Sequence, residues 1–386
     1  MDIKIEDNSL PYAHWLHSIE GVGAKTIRHM LGRVGTPEAL YGMKREKMEG
    51  VLPPSCNKAK LADRIADSRN NFDIDKEYAA LADKKIKFTC IGHADYPYRL
   101  KDIPDSPYGI YYKGKLPGQD KPAAAIIGAR NCSEYGRQMA MQFGSELAIM
   151  GVQVISGMAR GIDGIGQMAA LDTGGYSLGV LGCGVDICYP NENRRLYDRL
   201  CMQGGVCSEY PPGTAPKNTL FPPRNRIISG LADIVLVIES KKRSGTLITV
   251  DMALEQGKEV YALPGRTSDA LSEGCNRLIQ QGAGLALSAQ DIVKTIMEST
   301  PYTQNISRAQ TALHTQNKPQ TTFLTDIQSE LMQTLEETPK SAEIIKEQML
   351  SKFRRDIPLS EVLNQLMKLN LYGLVRQTGN SYFHLA

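Results

Sequence analysis

The chain has 386 residues, more than one ordinary domain holds. Hydrophobic residues make up 42% and charged residues 23%, enough apolar material for a full core, and no apolar run approaches the ~18 residues of a membrane-spanning helix. A formal net charge of +3 excludes a wholly basic nucleic-acid tail but leaves room for a local basic patch.

Residues 1–90 read as an N-terminal helical domain. Apolar positions recur at helical spacing through Ala13-His14-Trp15-Leu16 and again through Ile27-Arg28-His29-Met30-Leu31. Gly21-Val22-Gly23 lies between them. The turn resembles a helix-hairpin-helix, whose glycines let backbone N–H groups approach a DNA phosphate; a plain tight turn in a small bundle fits equally. The start, Met-Asp-Ile-Lys-Ile-Glu, lacks the basic-then-apolar order of a secretory signal, so a cytoplasmic protein is expected.

Residues 91–300 change pattern. Short apolar runs at 123–128, 152–157, 176–182, 205–209, 233–240, 259–265 and 284–288 alternate with helical stretches such as 134–150 and 246–256. Strand–helix alternation with Val/Ile-rich strands predicts an α/β fold, an extended Rossmann-like doubly wound parallel sheet covered on both faces. Nearly every strand ends in Gly or Ser, and the carboxyl ends of such strands form the ligand crevice. Residues 301–322 are polar with few large apolar side chains and read as a linker. Residues 323–386 then offer three amphipathic helices and a hairpin around Gln377-Thr378-Gly379-Asn380, the order of a winged helix. Its presumed recognition helix is expected to turn Ser360, Glu361, Asn364, Gln365 and Lys368 outward. That face is not strongly basic, so duplex contact and protein docking both stay open.

The loops after the strands carry the chemistry. The first, Gly128-Ala129-Arg130-Asn131-Cys132-Ser133, has a glycine for close backbone approach, a guanidinium fork in Arg130, and Ser133 to cap the next helix, the makings of an anion site at a helix N-terminus. The second, Gly157-Met158-Ala159-Arg160-Gly161, repeats the logic. Further on, Lys217, Arg224 and Arg226 surround Phe221 and Asn225, combining phosphate neutralisation with base stacking. Lys241-Lys242-Arg243-Ser244-Gly245-Thr246 adds a basic run ending on a helix start. Each loop alone is compatible with a solvated surface; several converging on one sheet edge point to a phosphate-rich ligand. There is no Walker A loop and no complete GxGxxG, so no nucleotide cofactor is expected. The eight cysteines contain no CxxC and read as free thiols of a reducing compartment, with no metal site.

At these residues the chain resembles the DNA-processing protein A family (DprA, also called Smf). The likeness runs from Tyr96-Pro97-Tyr98-Arg99-Leu100 to the 290s. It passes through Gly128-Ala129-Arg130, Gly157-Met158-Ala159-Arg160-Gly161-Ile162-Asp163, Tyr189-Pro190-Asn191-Glu192-Asn193, Phe221-Pro222-Pro223-Arg224-Asn225-Arg226 and Arg243-Ser244-Gly245-Thr246. The resemblance implies a bacterial single-stranded DNA-binding protein that protects incoming DNA and loads the RecA recombinase onto it during natural transformation, working as a homodimer through the Rossmann domain. The family's DNA-binding positions carry over to Gly128, Arg130, Ser133, Lys217, Phe221, Arg224 and Asn225. One departure is that the family often has a His after Gly-Ile-Asp, where this chain has Gly166-Gln167.

An enzyme of the nucleotide phosphoribohydrolase type is the competing reading. Arg243-Ser244-Gly245-Thr246 followed by Glu255 distantly echoes that group's Pro-Gly-Gly-x-Gly-Thr loop and catalytic Glu. Asp163, Glu209, Glu239 and Glu255 lie near expected loop ends, but none forms an evident acid–base pair, and no catalytic residue is assigned.

Overall fold

The structure, a computed structural model, describes residues 4–299, 326–335, 340–371, 375–378 and 382–385. The expected linker 301–322 lies outside them. The chain divides into two compact units, residues 1–303 and 304–386. No helix among the described residues is long and apolar enough to cross a membrane.

Helical spacing in the first 90 residues yields α1 (Leu10–Ser18), α2 (Ala24–Val34), α3 (Pro37–Tyr41), α4 (Arg45–Val51), α5 (Lys58–Asn70) and α6 (Ile74–Asp83). Thr36, Asn57 and Asp73 cap α3, α5 and α6, each side chain accepting a backbone N–H three residues on at 3.1–3.2 Å. Trp15 is fully buried and its indole N–H donates to Ser68 Oγ on α5 at 3.1 Å. Between α1 and α2, Gly21 takes φ +77° and faces Arg64 of α5, which donates to Glu20 O at 2.9 Å. These helices share one core with the first two strands, β1 (Lys87–Cys90) and β2 (Gly109–Gly114), through Phe88, Cys90, Tyr108 and Tyr111. His14 sits in that core, its ring centroid 5.6–5.9 Å from those of Phe72, Tyr78, Phe88 and Tyr111, and its Nδ1 has no hydrogen-bond partner. Burial, with a smaller push from His17, pulls its pKa down to about 4.

Strands and helices then alternate: β3 (Ala123–Ile127), α7 (Glu134–Ile149), β4 (Gln153–Ser156), α8 (Ile162–Asp172), β5 (Ser177–Val180), α9 (Arg194–Gln203), β6 (Gly205–Ser208), α10 (Phe221–Leu231), β7 (Ile234–Val237), α11 (Gly245–Glu255), β8 (Glu259–Ala262), α12 (Glu273–Gln280), β9 (Gly284–Leu285) and α13 (Ala289–Ser299). Nine strands form one sheet in the order β1-β2-β6-β5-β4-β3-β7-β8-β9. The pairings from β6 to β9 are parallel, as the apolar runs predict. The sheet as a whole is mixed, because β1–β2 and β2–β6 are antiparallel. Every residue of β3 to β7 is buried, the reason those strands read as continuous apolar runs. Alternation along β3 serves both faces. Ala123, Ala125 and Ile127 pack against α10, α11 and α12, and Ala124 and Ile126 against α7, α8 and α13. Strand order reverses at β3, flanked by β4 and β7, and this switch point opens the crevice.

The second unit contains, among its described residues, α14 (Asp326–Met332), α15 (Ala342–Phe353), α16 (Leu359–Leu371), and three antiparallel strands, β10 (Lys340–Ser341), β11 (Val375–Thr378) and β12 (Tyr382–Leu385), in the order β10-β12-β11. Val362, Leu366 and Leu369 bring α16 into its core. Gln365 shares that stripe, so it is buried rather than outward, accepting from Gln328 Nε2 at 3.0 Å and donating to Glu361 at 2.7 Å.

Candidate functional site

Loops after β3, β4, β5 and β7, with the start of α10, enclose a crevice at the carboxyl edge of the sheet. One cavity of about 470 Å³ is lined by Gly128, Arg130, Asn131, Phe221, Arg224, Asn225, Lys241, Ser244 and Thr246 among others. A second of about 320 Å³ shares Arg130, Phe221 and Arg224 and adds Gly157, Arg160, Cys183 and Tyr189.

Gly128 turns the chain sharply out of β3, where a Cβ would come within 2.7 Å of Ile162. Arg130 then stands exposed, its guanidinium 5.9 Å from the Phe221 ring centroid. Tyr189 stacks on Phe221 with centroids 5.3 Å apart and rings 19° from parallel. Gly161, at φ +71°, brings the start of α8 against the carbonyls of Ala129 and Arg130.

Arg224 forms the floor. It is 6% exposed, and its Nη1 donates to Gly157 O at 2.9 Å and to Val180 O. Gly157 N–H donates to the buried Asp163 carboxylate at 3.1 Å, and a Cβ on Gly157 would come within 2.7 Å of the Arg224 guanidinium. Burial pushes the Asp163 pKa up and the Arg224 pKa down, and the attraction between the two charges opposes both shifts. Arg224 presents a buried positive charge to the crevice while pairing inside the fold.

Several expected contacts have other employment. Ser133 caps α7, accepting from Gly136 N at 3.0 Å, and its hydroxyl and its N–H (2.9 Å) both donate to the Glu239 carboxylate. The N-terminus of α7, which the sequence suggests as an anion site, therefore already holds an anion, and Ser133 lines neither crevice cavity. Arg226 follows Arg224 by two helical positions, about 200° round α10. It points away from the crevice, donating to both Glu209 oxygens at 2.8 and 2.9 Å and to Asp105 O at 2.8 Å. Lys217 is exposed on the turn before α10, outside both cavities. Lys242 pairs with Glu273 at 3.6 Å, and Arg243 is exposed beside it; the basic run enters the crevice through Lys241 instead. Ser244 caps α11 by accepting from Thr246 N at 3.2 Å and does line the crevice. Arg160 lines the second cavity and pairs with Glu192 at 2.5 Å.

The sequence gives Asn131, Lys241, Thr246 and Tyr189 only as members of loop motifs, not as site residues. No local signal marks two rings 32 positions apart as a stack. Gln167, where the resembling family often has His, is fully buried. It accepts from Met158 N at 3.1 Å and donates to Leu178 O at 2.9 Å, holding Met158 at φ +54°, a left-handed conformation that an L side chain adopts at a cost. Glu255 ends α11, exposed and outside both cavities. Among the described residues no cluster of His, Cys, Asp or Glu is arranged to hold a metal. Exposed cations around a two-ring stack suit phosphates and bases together.

Residues 87–297 match the family model of the DNA recombination-mediator protein A. The chain is 42% identical over 226 residues to the DNA processing protein DprA of Streptococcus pneumoniae strain R6, covering 58% of this chain and 78% of the relative. It is 36% identical over 299 residues to protein Smf of Escherichia coli K12, 75% of each chain. The X-ray structure of DNA processing protein A from Streptococcus pneumoniae superposes with a TM-score of 0.64 at 33% identity, covering 75% of this chain and 98% of that one. A structure describing the single-stranded DNA binding mode of DNA processing protein A from Helicobacter pylori gives a TM-score of 0.50 at 27% identity, over 56% of this chain and 98% of that one.

Proposed function

This chain belongs to the DNA recombination-mediator protein A family, and from that premise we propose that its crevice binds single-stranded DNA. The observation that carries the reading is the Tyr189–Phe221 stack, whose Phe221 ring lines one cavity with Arg130, Lys241 and the buried charge of Arg224. Stacking is worth about 1–3 kcal/mol per base and tolerates any sequence; the cations neutralise phosphates and make binding fall with salt. Gly128, Arg130, Gly157, Arg160, Gly161, Phe221, Arg224, Asn225 and Ser244 build this interface. Lys217, Lys242 and Arg243 flank it as outer phosphate contacts, while Ser133 and Arg226 hold its loops in place.

In the same reading the protein protects incoming strands in a bacterial cytoplasm and hands them to the RecA recombinase, as a homodimer through the Rossmann unit. The domains are residues 1–90, 91–300 and 323–386 with a linker at 301–322, the last domain being a winged helix. The deciding experiment is fluorescence anisotropy with single- and double-stranded oligonucleotides over a salt series. Preference for single strands with a negative salt slope is expected; equal binding of both forms would sink the reading. Asp163, Glu209 and Glu239 are all engaged inside the fold, which supports binding without turnover. Incubation with AMP and with oligonucleotides tests that directly, and product formation would restore the enzyme reading.

A further inference from the structure

A third cavity, of about 650 Å³, lies beyond Arg130, between the N-terminal ends of α7 and α8 and the start of α9. Four arginines line it: Arg130, Arg137, Arg160 and Arg195. Glu192 is the one carboxylate residue among its lining, and it is spent on Arg160. Among the described residues Arg137 pairs with Glu134 alone, at 3.5 Å across two exposed side chains, a contact of little strength. Arg130 and Arg160 belong to this groove and to the crevice alike. A chain leaving the Tyr189–Phe221 stack past Arg130 therefore meets two further guanidiniums, those of Arg137 and Arg195.

We propose that this groove is a second stretch of the strand track, in which Arg137 and Arg195 hold phosphates of the nucleotides that leave the crevice, with Glu192 restraining Arg160. The proposal rests on the crevice reading above. Planar guanidiniums match phosphate oxygens in pairs, which favours a phosphate backbone. No aromatic side chain lines the groove, so it contributes charge without stacking. Continuity with the stacking crevice favours a nucleic-acid strand over an acidic peptide.

The test compares oligonucleotides of about 4 and about 16 nucleotides, the ends of the range of single-strand site sizes. The double variant Arg137→Gln/Arg195→Gln is expected to bind the short strand as the unchanged protein does. It should bind the long one roughly tenfold more weakly, with the salt slope reduced by about 1.4 for two lost contacts. Glu192→Gln is expected to tighten long-strand binding by freeing Arg160, a gain that damage to the fold cannot imitate. Unchanged long-strand affinity and slope in the double variant would overturn the proposal. So would loss of polyglutamate binding without loss of strand binding, which would make the groove a docking site for an acidic protein segment. Phe221→Ala serves as the crevice control. If it leaves both strands unaffected while the double variant weakens the long one, the crevice reading fails and takes the second-stretch proposal with it, leaving the groove as a strand site of its own.

Discussion

Arg130 projects from a glycine-bounded loop into solvent, so its removal leaves no hole in the core. Arg130→Ala is expected to weaken single-strand binding by about 1.5–3 kcal/mol, as for a hydrogen bond to a charged group, with an unchanged melting temperature. Anisotropy and a thermal scan check the two halves of that statement. Phe221 and Tyr189 form one platform. Replacing either with Ala should lower affinity at constant salt slope, and the double variant should lose little more than one single change; additive losses would mean two separate stacking sites. Arg224 behaves differently. Arg224→Leu takes the donor from the buried carbonyls of Gly157 and Val180 and the charge that offsets Asp163, and is expected to cost about 1–3 kcal/mol of fold stability, read as a drop in melting temperature. Sequence alone could locate Arg130 and Phe221, because loops after Gly-ended strands in a doubly wound sheet face the ligand. It could not separate Arg224 from Arg226. Which of two arginines on one helical turn meets the crevice depends on the phase of α10 against the sheet, set by contacts such as Glu209 that come from elsewhere in the chain.

The helices of residues 10–83 stand on β1 and β2 through an aromatic core with His14 inside it. Its pKa of about 4 in the fold lies below the ordinary 6.5, so the unfolded chain takes up the proton first. The stability this contributes is fully present above pH 6.5 and is lost as pH falls toward 4, by about 3 kcal/mol at the lower end. His14→Phe should flatten that part of the stability–pH curve in denaturant titrations; an unaltered acid limb would show that His14 does not govern it. The elements themselves were unevenly legible. Buried parallel strands announce themselves as unbroken Val/Ile/Ala runs, and α1 and α2 by their periodicity. β1 and β2 do not. Lys87-Phe88-Thr89-Cys90 is short and follows a charged stretch, and β2 finds its partner β6 almost a hundred residues later, a pairing with no local trace.

At the scale of the whole molecule, every crevice and groove residue precedes residue 272, inside the unit that ends at 303. A chain ending at Ser299 is therefore expected to stay soluble and keep most single-strand affinity, without gaining sequence preference, since phosphate contacts and stacking read no base identity. Insolubility would show that residues beyond 299 cover its core, and an affinity loss beyond about a hundredfold would place them in the primary contact.

Glu239 occupies one anion site beside the crevice before any ligand arrives. The N-terminal end of α7, one of the helix ends near the crevice, is filled by the protein's own carboxylate. A lone nucleotide is left with scattered surface cations, each a weak hold, whereas a polymer engages many of them together and gains from every further one. On the single-strand reading, free nucleotides are expected to be poor competitors for long strands, with no lid needed to shut them out. AMP at concentrations on the order of millimolar should leave a bound oligonucleotide in place, and Glu239→Ala should make the same protein sensitive to it.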